Sequence, residues 1–331
     1  MKDYLYDCAR IRALEVGLVG KDRLEELLGA KTLEEVLQRL SEMGVSVISE
    51  PETGRFLREE TLLAILRKAY ADVVSAAPDD KALSLWLYPY DCNNVKAAIK
   101  CFFRNIDPRP MTFDFGTVEI ETVVQMVQTG DFSTLPPFMS EAATAAMEAY
   151  SKGRDPQRID LILDAACYAD MQAAARESGV AFAERLVRIK IDLTNILTAV
   201  RVLRMNSGAL GSRLLESALI CGGALDLRDL TAWCEEGEEA LWSHLTYGAY
   251  AGLAALVAAT DRTLTSVERC IDDCFTAVVR EVKFTPYGAD VLIGYLLARE
   301  YEVKNLRILL AGKELGLATE TIRERMRNGY V

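Results

Sequence analysis

The sequence contains a single histidine, His244, among 331 residues. A zinc motif with two histidines, such as HExxH, therefore cannot occur. Any serine or cysteine nucleophile activated by histidine would depend on this one residue, and no GxSxG elbow accompanies it. We interpret His244, between Ser243 and Leu245, as a packing residue, and we find no pattern typical of an active site or of a bound cofactor.

Paired cysteine motifs are also missing. The eight cysteines include no CxxC spacing, which favours reduced thiols in helical cores. Cys270 and Cys274 lie one helical turn apart beside Asp272 and Asp273, an arrangement that could hold a metal ion. Because no second ligand cluster with matching spacing occurs, we predict no metal site.

Positive charge is scarce. Lys and Arg number 38 against 49 Asp and Glu, which gives a net charge of −11. Nucleic acid is an unexpected partner, since phosphate binding depends on clustered Lys and Arg. Gly20-Lys21 and Gly312-Lys313 resemble the end of a P-loop, but Glu15 and Arg307 stand where a glycine is required, and neither lysine precedes Ser or Thr. We therefore predict no nucleotide hydrolysis.

Long hydrophobic runs are absent. The longest apolar stretch, from Tyr247 to Thr260, is too short and too rich in Ala and Gly to cross a bilayer. The first twenty residues carry charges throughout and lack the features of a secretory signal. We expect a chain that is cytosolic, or bound peripherally to a membrane through partners.

Helical patterns dominate the sequence. Thr32 with Glu35 forms a capping box, Thr265 with Glu268 forms another, and Asp155-Pro156 is typical of a helix start. Half the residues are hydrophobic, which suffices for real cores. The sequence therefore predicts an all-α protein.

Three predicted helices repeat one polar pattern, an acid followed three residues later by an asparagine. The stretches are YDCNNVKAAIKCFFR, IDLTNILTAVRVLRM and YEVKNLRILLAGKEL, and the pairs are Asp91/Asn94, Asp192/Asn195 and Glu302/Asn305. The copies lie about 100 residues apart, too far for a solenoid of 20 to 50 residues per repeat. With boundaries at Asp107-Pro-Arg-Pro110 and from Asn206 to Gly211, they predict three related helical units, 1–106, 107–205 and 206–331.

Each pair lies on one helix face together with an apolar stripe, so its polar groups need partners. One hypothesis is structural, with each pair tethering its helix to a neighbour. The other is functional, with the three faces lining a common cavity. A second alignment supports the repeat, since similar stretches begin at Gly20, Gly130 and Gly223.

The combination of LYPYDCNNVKAAIK from Leu87, KIDLTNILTAVRVLR from Lys190 and the ending from Tyr295 resembles the C subunit of the V/A-type rotary ATPases, the counterpart of the d subunit of the eukaryotic vacuolar enzyme. The likeness covers essentially the whole chain and is strongest in the last forty residues. The resemblance implies three related helical domains with pseudo-threefold symmetry forming a funnel. The six acid and asparagine residues would then line that funnel or brace its helices.

The resemblance also implies a non-catalytic central-stalk (rotor) component without cofactors, at the cytoplasmic face of the cell membrane. It would couple the central-shaft subunits of the D and F type to the membrane rotor ring of the K, L or c type, and would transmit torque for ATP-linked proton or sodium transport. Membrane association would arise only through the ring. The alternatives are a general all-helical scaffold or interaction protein and, third, an acid/base enzyme.

Overall fold

A computed structural model describes residues 4–75, 81–205 and 208–331, with the side chains of 208–210 excepted. The all-α prediction is confirmed. Within these ranges the only extended pairing is an isolated bridge between Ser49 and Phe56, and no strand forms around it. None of the described helices combines the length and apolar character needed to span a bilayer. The funnel of three domains stays a prediction.

Seventeen α-helices follow one another along the described part of the chain. The first nine are α1 (Leu5–Glu15), α2 (Lys21–Leu28), α3 (Leu33–Glu42), α4 (Arg58–Val74), α5 (Lys81–Ser84), α6 (Tyr88–Arg104), α7 (Ile120–Thr129), α8 (Pro137–Gly153) and α9 (Pro156–Ser178). The remainder are α10 (Ala181–Arg204), α11 (Gly208–Ala218), α12 (Leu227–Glu236), α13 (Glu238–Leu245), α14 (Ala251–Ala258), α15 (Leu264–Val279), α16 (Ala289–Glu314) and α17 (Thr319–Arg325). Short 3₁₀ turns occupy Leu85–Leu87, Arg109–Met111 and Arg280–Phe284.

Helix starts follow the capping chemistry of the sequence in two places and depart from it in a third. Thr32 accepts a hydrogen bond from the Glu35 amide, and Asp155 accepts one from Gln157 ahead of α9. For α15 the prediction of Thr265 as the cap is wrong. The helix begins at Leu264, because the Thr263 hydroxyl accepts the Ser266 amide and so stops the preceding turn.

The described residues group into two compact units. Residues 1–79 with 245–331 form unit 1, and residues 80–244 form unit 2. The division into 1–106, 107–205 and 206–331 stays a prediction, and the first residues of its second boundary, Asn206 and Ser207, lie outside the described ranges.

Each unit is built around one long helix. In unit 1, α16 packs against α4, α1 and α3, and residues on most of its faces are buried, such as Leu292, Leu296 and Leu306. In unit 2, α9 packs against α8, α10 and α6. Helices surrounded in this way have little polar surface, so the buried acid and asparagine side chains on α6, α10 and α16 must find partners.

Candidate functional site: three backbone clamps

The three acid/asparagine pairs lie at equivalent places on α6, α10 and α16, and all six residues are buried. Five of them are fully inaccessible, and Glu302 is 5% exposed. Each pair holds the backbone of a loop, so we call them clamp 1 (Asp91/Asn94), clamp 2 (Asp192/Asn195) and clamp 3 (Glu302/Asn305).

Each asparagine pairs with both backbone groups of one loop residue. Asn94 accepts the Phe113 amide at 2.8 Å and donates to the Phe113 carbonyl at 2.9 Å. Asn195 bonds both groups of Ile220, each at 2.8 Å. Asn305 bonds Arg327 at 2.8 and 3.0 Å. Because an amide side chain has one donor end and one acceptor end, it reproduces the pairing of a neighbouring strand. The asparagine half of each clamp therefore has the same geometry.

The acids of clamps 1 and 2 bind the same loops a few residues further along. Asp91 accepts the Thr117 amide at 2.8 Å, the Thr117 hydroxyl at 2.6 Å and the Val118 amide at 3.1 Å. Asp192 accepts the amides of Ala224 and Leu225 at 2.9 and 3.1 Å. In both clamps these amides follow the asparagine-bonded residue by four and five positions.

Clamp 3 uses a longer acid and a separate stretch of chain. Glu302 accepts the Val19 amide at 2.8 Å and forms an ion pair with Arg299, also at 2.8 Å. The Arg299 side chain is 15% exposed and also donates to the Tyr295 hydroxyl. Burial raises the pKa of Glu302, and the Arg299 guanidinium opposes that rise.

Glycines give the acids access to the backbone. A Cβ at Gly116 would overlap the Asp91 carboxylate, and one at Gly223 would overlap the Asp192 carboxylate. At Gly17, the corresponding place in clamp 3, the nearest side-chain atom is Arg299 Nη2 at 3.7 Å. Close backbone approach therefore requires glycine in clamps 1 and 2, but not for the acid of clamp 3.

These loops correct the second alignment. The equivalent glycines are Gly17, Gly116 and Gly223, and each precedes by four positions the first residue of α2, α7 and α12. The alignment beginning at Gly20 and Gly130 is wrong, because Gly130 ends α7 in the left-handed region and contacts no clamp acid. A Gly-x-apolar triplet just ahead of a helix is the signal that sequence comparison missed.

The clamp carboxylates are engaged by amide, hydroxyl or guanidinium donors, which suits a structural role. Burial raises the pKa of Asp91 to about 6, against the opposing hydrogen bonds from Thr117 and Val118. Under the structural hypothesis, in which each pair tethers its helix to a neighbour, the tethered group is thus the backbone of a loop. That the pairs line a funnel stays a prediction.

One further buried acid also accepts backbone amides, and the sequence did not predict this role. Asp170, on α9 and 2% exposed, accepts the amides of Phe138 and Met139 at 3.0 and 2.7 Å. It thereby caps α8 from a neighbouring helix. Pro136 and Pro137, at the start of α8, have no side-chain oxygen that could accept these amides. No local sequence signal links Asp170 to α8, since 31 and 32 residues separate the partners.

Other candidate groups lie apart from the clamps. His244 stacks on Trp233 with ring centroids 5.0 Å apart. Across the described ranges, no three His, Cys, Asp or Glu side chains are grouped to hold a metal ion.

Beside clamp 3, a cavity of about 320 Å³ is lined by Gly17, Lys68 and Arg299 among others.

Comparison with known proteins extends over nearly the whole chain. A family model described as "ATP synthase (C/AC39) subunit" matches residues 8–325. The chain is 23% identical over 325 residues to the C subunit of the V-type sodium ATPase of Enterococcus hirae, covering 97% of both chains. It is 25% identical over 335 residues to the C subunit of the A-type ATP synthase of Thermococcus onnurineus, covering 97% of this chain and 89% of the relative. The corresponding A-type protein of Haloferax volcanii is 24% identical over 339 residues, covering 96% and 95%.

Proposed function

Because this chain belongs to the ATP synthase (C/AC39) subunit family, we propose that it is the central-stalk component that couples the rotary shaft to the membrane rotor ring. It is a structural part of a V/A-type ATPase and not the catalytic one. The observation that carries the proposal is the match over residues 8–325, which includes the acid and asparagine residues of all three clamps.

The clamps support a mechanical role. A protein transmits torque only if its helices and the loops between them keep their relative positions under load. In each clamp, a buried acid fixes a long helix to the loop ahead of α2, α7 or α12 through hydrogen bonds from backbone amides. Such bonds are costly to break, because the buried carboxylate is then left with neither a protein donor nor water. The same asparagine geometry on α6, α10 and α16 also favours three related units closing into a funnel.

The proposed partners are the shaft subunits of the D and F type on one side and the ring subunits of the K, L or c type on the other. Both interfaces should be broad, since many contacts must outlast the load together. The chain would lie at the cytoplasmic face of the cell membrane, held there through the ring. The transported ion would be a proton or sodium.

Affinity purification from solubilised membranes tests this proposal. A tagged copy of the chain should bring down both shaft and ring subunits, and a tagged Asp192→Ala variant should bring down less of both. The catalytic head, once detached, should hydrolyse ATP equally in either strain. Recovery of soluble proteins alone would favour a general helical scaffold and contradict the stalk assignment.

A further inference from the structure

Clamp 3 differs from the other two in where its bound backbone comes from. In clamp 1 the asparagine holds Phe113 and the acid holds Thr117, four residues later on the same stretch of chain. In clamp 3 the asparagine holds Arg327, whereas the acid holds Val19, 283 residues away from Glu302 in sequence. The two bonds of clamp 1 are thus joined through a short covalent link, and those of clamp 3 are not.

The residues bonded around Asn305 form a short non-helical stretch, Arg327–Val331, which we call the tail segment. Three polar contacts fix it to α15 and the turn that follows. Arg327 pairs with Asp272 at 2.9 Å, the Asn328 amide donates to Asp273 at 2.6 Å, and the Arg280 guanidinium donates to the Gly329 carbonyl. These three contacts do not involve the 17–19 loop held by Glu302, and the tail segment approaches that loop only at its end, where Val331 lies against Gly20.

One aromatic side chain anchors the tail segment. Tyr330 is 3% exposed, its hydroxyl donates to Glu15 at 3.1 Å, and the Lys283 ammonium lies 5.0 Å from its ring centroid. Just beyond it, the Val331 carbonyl accepts the Lys21 amide at 3.3 Å. The docked tail segment therefore depends on one buried ring and a set of polar contacts, of which several are charged.

We propose that the tail segment is a latch, which undocks from Asn305, α15, Glu15 and Lys21 as one piece while Glu302 keeps hold of Val19. Stretches joined by a short run of chain open together more readily than stretches joined only through side-chain contacts, and in clamp 3 the Arg327 and Val19 stretches have no short covalent link. Undocking uncovers the side-chain amide of Asn305, which in the docked state bonds the backbone of Arg327. The inference rests on the contacts of clamp 3 and is independent of the proposed function.

Amide hydrogen exchange of the full chain, resolved by residue, tests the latch. Tyr330→Ala removes the anchoring ring, and Tyr330→Phe is the matched control, because it keeps the ring and loses only the hydroxyl group with its bonds to Glu15 and Arg12. We expect Tyr330→Ala to speed exchange at Arg327, Asn328 and Lys21 by about tenfold or more, and exchange at Val19 by less than about twofold. Tyr330→Phe should give a smaller change at the same three amides.

Equal acceleration at Val19 and Arg327 would show that clamp 3 opens as a whole and would overturn the proposal. Clamp 1 supplies the contrast, since Asn94→Ala should speed Phe113 and Thr117 together. Independent exchange of those two amides would also overturn it. If Tyr330→Ala does not fold, exchange of the unaltered chain in low denaturant decides the matter. Different opening free energies for Val19 and Arg327 support the latch, and a shared value refutes it.

Discussion

Asp192 and Gly223 lie so close that a Cβ at residue 223 would overlap the Asp192 carboxylate. The acid reaches the Ala224 and Leu225 amides only across that bare backbone. Gly223→Ala must therefore displace either the loop or the carboxylate. We expect a loss of about 2–4 kcal/mol in the free energy of unfolding, from overpacking and broken buried bonds.

Gly17→Ala is the matched control for that experiment. A Cβ there would lie 3.3 Å from the Leu14 carbonyl and 3.7 Å from the Arg299 guanidinium, and it would not meet Glu302. Urea unfolding of both variants should show a loss at Gly17 at least about 1 kcal/mol smaller than at Gly223. Equal losses would mean that the carboxylate does not impose the glycine.

The asparagines should be among the residues that are most sensitive to truncation. Asn195→Ala removes both partners of the Ile220 backbone and leaves a buried amide and carbonyl unpaired. Each unpaired buried group costs about 1–3 kcal/mol, so we expect a loss of about 2–5 kcal/mol. The Asn328 side chain lies outside the clamps and provides a control, and Asn328→Ala should change stability by less than about 0.5 kcal/mol. Similar losses for both in thermal or urea unfolding would contradict the clamp geometry.

Arg299 and Glu302 should be strongly coupled. Arg299→Ala leaves a buried carboxylate without its cation, which typically costs about 3–5 kcal/mol. In an Arg299→Ala, Glu302→Gln double variant the uncompensated charge is gone, so the second change should cost less than it does in the unaltered chain. A double-mutant cycle measures this difference, and a coupling energy near zero would show that Glu302 gains nothing from Arg299.

The raised pKa of Asp91 predicts a distinct pH dependence. With a folded pKa of about 6 against the ordinary 3.8, the folded chain binds the proton more tightly than the unfolded chain. This group therefore favours folding more at low pH, and the advantage is lost as pH rises from about 4 through about 6. The pKa difference corresponds to at most about 3 kcal/mol.

Asp91→Asn isolates that contribution, because the amide does not titrate in this range. The stability of the original chain relative to the variant should increase as pH falls from 7 to 4. Urea unfolding at several pH values measures the difference. A difference that stays constant, or that increases toward pH 7, would show that the Asp91 carboxyl has no raised pKa.

Much of the fold could be predicted from the sequence because helices depend on local chemistry. The acid/asparagine repeat was visible as a pattern, and it correctly marked α6, α10 and α16. What these residues bind could not be deduced, because the partners Phe113, Ile220 and Arg327 lie 19, 25 and 22 residues away and are contacted through their backbones. An asparagine that bonds only the backbone of its partner does not restrict the partner's side chain.

The misplaced glycine alignment has the same origin. Gly130 is a helix-ending glycine, and at the level of letters it resembles Gly116, which is required by the Asp91 carboxylate. The two glycines are distinguished only by the Asp91 carboxylate, which lies against Gly116 and not against Gly130. Clamp 3 was hardest to predict, because its Val19 bond joins residues 283 apart in the chain.

Reconstitution of the rotary complex with and without this chain decides whether the chain couples ATP hydrolysis to ion transport. Both activities are measured on the same membranes, after the chain has been removed and then added back. We predict that the head hydrolyses ATP in both cases, whereas transport requires the chain and is weakened by Asp192→Ala. Full transport in its absence, or loss of hydrolysis by the detached head, would contradict the proposed coupling role.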